Sequence, residues 1–103
     1  MKKTTVSEAK GLDAVYARYD TVTREALAVA EGAPRLDALK AAEILDMARR
    51  YVSDSAYLHE RGDTSRALAA LAYAHGWLDA GARMKLFHVT DSRLFTVDEE
   101  TRK

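Results

Sequence analysis

Apolar residues recur at three- and four-residue steps through Leu12, Val15, Tyr16, Tyr19, Val22, Ala26, Val29 and Ala30. That spacing places them on one stripe of an α-helix. Ser7 with Glu8 behind it, and Asp13 after Gly11, each offer a helix cap, and Gly32 followed by Pro34 supplies the stop, so the first helix is predicted over about 7–31. The next stretch reaches Arg61 with no further Gly or Pro and carries Leu36, Leu39, Ile44, Leu45, Ala48, Tyr51, Val52, Ala56 and Leu58 as a broad apolar stripe. Pro34 suits its first turn, where a missing amide proton costs nothing, and the second helix is predicted over 34–61. At about 1.5 Å per residue this makes a rod of roughly 42 Å. Gly62 favours the left-handed turn that ends a helix and Asp63 can cap the next, predicted over 64–87. In the tail, 88–103, Leu94-Phe95-Thr96-Val97 is too short to form an element alone, and the polar end is expected to fray. The pattern as a whole predicts one all-α domain over 1–103, a three-helix up-and-down bundle with long helices and short loops.

The third helix departs from an ordinary bundle. On a wheel of about 100° per residue, Leu68, Leu71, His75, Leu78, Ala82 and Leu86 share a face suited to the core. Tyr73, Trp77, Ala80 and Met84 lie opposite, with Ala69 and Gly76 beside them, and Asp79, Arg83 and Lys85 are the only formal charges between Ala67 and Leu86. A helix apolar on both sides should be covered on both. The cover expected is a second copy of the chain, residues 87–97 folding back, or a ligand or partner protein. Ala72, Gly76 and Ala80 repeat every four residues as a ridge with almost no side chain, so the expected contact face is Ala72, Tyr73, Gly76, Trp77, Ala80 and Met84. Glycine within a helix costs about 1 kcal/mol against alanine. Gly76 and Gly81 are therefore expected to serve close packing, ligand access or a local bend.

Composition narrows the function classes. The 16 Lys and Arg balance 16 Asp and Glu, so no global field draws the chain to nucleic acid or an anionic membrane. Cysteine is absent, which removes disulfides and thiolate chemistry. The two lysines near the start precede no apolar run, and no window of the sequence is apolar enough to span a bilayer. A cytoplasmic protein is expected.

His75, Asp79 and Arg83 stand on successive turns as an i, i+4, i+8 column. One reading is a hydrogen-bonded ladder in which Asp79 orients His75 and Arg83 balances Asp79. The sharper reading is a polar site of Asp54, Tyr73, His75, Asp79 and Arg83 that binds a ligand or moves a proton. Metal chemistry needs three or four ligands, and no HExxH or ExxH motif is present, so neither metal nor cofactor is expected. Arg83 and His88 match a spacing seen in some helical ribonucleases, but five helical steps rotate by about 140°, so the two point apart.

The run Tyr51-Val52-Ser53-Asp54-Ser55-Ala56-Tyr57-Leu58, then Gly62-Asp63, Arg66-Ala67, Tyr73-Ala74-His75-Gly76-Trp77-Leu78-Asp79-Ala80 and Leu86-Phe87, resembles the small archaeal family known as domain of unknown function family 357. The resemblance covers residues 12–89 and implies an archaeal source and a three-helix bundle. It implies no activity. Some members carry a nucleotidyltransferase-like domain, which implies an accessory role for the module. The function expected from the sequence is a non-enzymatic interaction module that self-associates through the third helix, as a homodimer or with another protein. The alternative is a small-molecule, nucleotide or metal binding protein with its site around His75 and Asp79.

Overall fold

A computed structural model describes residues 6–97, with side chains from residue 11 onward, and contains three helices: α1 (Val6–Gly32), α2 (Ala38–Glu60) and α3 (Thr64–Arg83). They run up, down and up in an elongated bundle of 50 × 26 × 20 Å, and the described residues contain no strand. The fold is the expected all-α three-helix bundle.

α1 passes through Gly11 and Asp13 unbroken, so neither residue starts it. The Asp13 carboxylate instead accepts the Thr64 hydroxyl at 3.1 Å and lies 3.6 Å from Nε2 of His59, tying α1 to the far turn. α2 starts at Ala38, four residues later than Pro34 suggests. Asp37 is its cap, accepting the Lys40 amide at 3.1 Å, and the backbone before it is engaged elsewhere. The amides of Leu36 and Asp37 both donate to the Leu86 carbonyl, and the His88 amide donates to the Pro34 carbonyl at 2.9 Å. Arg35 and Phe87 thereby form an antiparallel bridge.

At the α2–α3 turn Gly62 adopts φ 82°, and the amides of Gly62 and Asp63 return to the carbonyls of His59 and Leu58. This is the double closure of a Schellman turn. Asp63 then caps α3 by accepting the Arg66 amide at 3.3 Å. α3 ends at Arg83, short of the expected 87, through the same closure: the amides of Lys85 and Leu86 donate to the carbonyls of Ala82 and Gly81. Here the left-handed residue is Lys85, φ 58°, in place of the usual glycine.

The core stripe of α3 is Ala74, Leu78 and Ala82, packed with Ala41, Leu45, Ala48 and Val52 of α2 and Ala26 and Ala30 of α1, while Leu71 and Ala67 pack with Tyr16 in a second cluster. So many alanines let the helix axes approach closely. His75 belongs to the edge of this stripe, half-buried toward α1, and Leu68 is likewise only half-buried.

Residues 86–97 form a strap that completes the core. Phe87 is 1% exposed and Leu94 and Phe95 are each 2% exposed. The Phe87 ring lies over Gly81, where a Cβ would stand 2.5 Å from the ring edge, so Gly81 serves close packing. Leu94 to Val97 form no element alone, as expected, yet Leu94 and Phe95 bury their side chains in the core. The expected frayed end, 98–103, lies outside the described residues.

Candidate functional site

α3 presents His75 and Asp79 toward the strap on consecutive turns. Nε2 of His75 lies 2.6 Å from the Leu94 carbonyl, and Nδ1 lies 3.1 Å from the Thr23 hydroxyl of α1. A carbonyl only accepts, so Nε2 carries the proton, and in the neutral ring Nδ1 accepts from Thr23. His75 therefore joins α1, α3 and the strap with both nitrogens. Asp79 accepts the Thr96 amide at 2.8 Å and the Thr96 hydroxyl at 3.3 Å. Next to them Arg93 of the strap pairs with Glu25 of α1 and with Asp91. The Arg93 guanidinium holds the Glu25 carboxyl below the usual carboxylate range, and Glu25 in turn raises Arg93 further.

The column of His75, Asp79 and Arg83 is thus not a ladder among its own members. Each of the first two reaches off the helix to the strap, because residues 94–96 bring a carbonyl, an amide and a hydroxyl within hydrogen-bond range. Arg83 is exposed at the end of α3. Tyr73 lies on the other side of the helix, stacked on Tyr51 of α2 with ring centroids 4.5 Å apart. Asp54 is exposed on α2 and is not among the residues lining the hollows around His75. The five expected site residues do not converge: His75 and Asp79 come together, and Asp54 and Tyr73 are placed apart from them. Among the described residues no three His, Asp or Glu side chains group to hold a metal ion.

Thr23, Glu25, Arg93 and Thr96 complete the constellation and escaped sequence reasoning. Thr23 carried one usable signal, a hydroxyl on the buried stripe of α1 one position after Val22, where it is 1% exposed. The strap residues carried none, since their partners are up to 68 positions away.

Two hollows adjoin α3. A cleft of about 650 Å³ runs between α1 and α3, walled by Val15, Tyr19, Val22, Leu68, Ala72 and Gly76 and ending at Thr23, His75, Asp79 and Arg93. On the outer side a shallow trough of about 230 Å³ is lined by Tyr73, Gly76, Trp77 and Ala80. Tyr73 is 58% and Met84 63% exposed, so the strap, engaged at His75 and Asp79, leaves this outer face open. The buried indole N–H of Trp77 meets no acceptor among the described residues.

No helix among the described residues is long and apolar enough to cross a membrane. No curated protein and no solved structure matches the chain. Residues 18–87, the span from the middle of α1 to the start of the strap, match the family model described as protein of unknown function (DUF357), and the chain belongs to that family.

Proposed function

We propose that the protein is a non-enzymatic helical module that self-associates through the outer face of α3. The observation that carries this reading is the pairing of exposed apolar knobs with a bare gap. Tyr73 and Met84 stand out into solvent, and between them Gly76 and Ala80 leave the trough beside Trp77. An antiparallel crossing of α3 with the same helix of a second copy, centred between Gly76 and Ala80, sets each Tyr73 against the opposite Ala80-to-Met84 segment. Such a face is its own complement, as a two-fold interface requires. A site built on His75 itself is weakened because both ring nitrogens are engaged, Nδ1 with Thr23 of α1 and Nε2 with the Leu94 carbonyl of the strap.

Light scattering on the full chain tests the proposal. The expected mass is twice the 11.4 kDa of one chain. Tyr73→Glu combined with Met84→Glu should return it to one chain with the helical circular dichroism unchanged, because both side chains are exposed. A monomer at millimolar concentration, or a dimer that ignores the double substitution, would remove the proposal.

A further inference from the structure

The cleft between α1 and α3 adjoins the outer trough, sharing Gly76 with it, but opens on the α1 side of the helix and has the make-up of a small-molecule site. Its volume of about 650 Å³ falls within the range that encloses drug-sized ligands, about 300–1,000 Å³. Its walls are apolar and its polar groups are confined to one end, the arrangement that orients an amphiphile. The floor is bare: a Cβ built at Gly76 meets nothing within 4 Å, so the intramolecular packing that explains Gly81 does not explain Gly76.

Charge selects the ligand class. At the polar end Arg93 is shared by two carboxylates, Glu25 and Asp91. Asp79 accepts two hydrogen bonds from Thr96 and pairs with no cation among the described residues. Asp79 is the carboxylate that lines this end. The charge of Arg93, the lining guanidinium, is already answered by Glu25 and Asp91 behind it, so among the described residues Asp79 is the one left there without a cation. A carboxylate accommodates about four hydrogen bonds, so Asp79 retains room for a further donor. We propose that the cleft binds a small amphiphilic amine, its apolar body between Tyr19, Val22 and Leu68 over Gly76, and its ammonium group against Asp79.

The test uses three ligands of one shape on the ¹⁵N-labelled full chain: tryptamine, the neutral alcohol tryptophol and the anion indole-3-propionate. Tryptamine should shift the Gly76 and Ala72 amides with a Kd below about 1 mM, and tryptophol should bind about tenfold more weakly, as expected on losing a charge-assisted hydrogen bond. Indole-3-propionate should bind more weakly still. Gly76→Leu, whose Cβ enters open space, places a side chain in the cleft and should abolish the shifts while the chain stays helical. Asp79→Asn retains an acceptor for the Thr96 amide and should weaken tryptamine about tenfold without displacing the Leu94 and Phe95 amide resonances. Tyr73→Glu, on the other side of α3, should leave binding unchanged. Equal binding of the three ligands, no binding of tryptamine, full binding to Gly76→Leu, or loss of binding in Tyr73→Glu would each overturn the assignment.

Discussion

Gly76 and Gly81 lie on the same helix five residues apart and answer to opposite constraints. A Cβ at Gly81 would stand 2.5 and 2.7 Å from the Phe87 ring and 3.1 Å from Ile44, and a ring held in the core cannot retreat cheaply. Gly81→Ala should therefore destabilise the chain by about 1–3 kcal/mol, whereas Gly76→Ala, entering open space, should stabilise the isolated monomer by up to about 1 kcal/mol. Urea unfolding of the two variants side by side, in the Tyr73→Glu, Met84→Glu background expected to be monomeric, checks both signs. Lys85 offers a third case. Its left-handed backbone costs a side-chain-bearing residue about 1–2 kcal/mol. Lys85→Gly should recover about 1 kcal/mol, which for a domain of this size raises Tm by roughly 4–8 °C. The same residue explains why the sequence overstates α3: the usual glycine signal is absent at the true stop, and Leu86-Phe87 continues the apolar pattern.

Among the elements, the strap contributes most that periodicity does not reveal. Val89, Leu94 and Phe95 follow neither a helical nor an alternating pattern, so their burial depends on tertiary contacts alone. Phe95→Ala should cost about 3–5 kcal/mol, the range for truncating a buried phenylalanine, measurable by thermal or urea unfolding. The Arg93–Glu25 pair gives the strap a sensitivity to acid. Because Glu25 titrates lower in the folded chain than its usual value of about 4.3, its contribution is present above that value and disappears as pH falls through the depressed one. An NMR titration of the Glu25 side-chain carbon should show the lowered midpoint, and Arg93→Gln should return it toward the ordinary value. His75 and Asp79 were visible in the sequence as a polar pair on an apolar helix. Their partners were not, because Leu94 contributes only a backbone carbonyl, a group common to every residue.

At the scale of the whole molecule the architecture was legible because local signals agreed with one another. Gly62 and Asp63 ended one helix and began the next as their chemistry dictates, and the apolar stripes of α2 and α3 met across that turn. The start of α2 was less legible, because Pro34 fits a helix entrance as well as it fits the extended link that pairs with Phe87. The outer face of α3 is apolar and the chain carries no net formal charge, so the proposed dimer should be held by area rather than by ion pairs. Its dissociation constant should change less than about threefold between about 0.05 and 0.5 M salt, where the screening length falls several-fold; sedimentation at the two ionic strengths provides the check.

The junction of Glu25 with Arg93, 68 residues apart, also orders events in time. A chain emerging from the ribosome exposes the inner stripe of α1 long before the strap that closes over it exists. The α2–α3 hairpin, joined by a minimal turn, is the first unit able to bury its own contacts, and α1 must wait beside it with Ala26, Leu27 and Ala30 incompletely covered. The interval before Phe95 arrives is thus when nascent chains are most exposed to one another, and when a chaperone would find the most to hold.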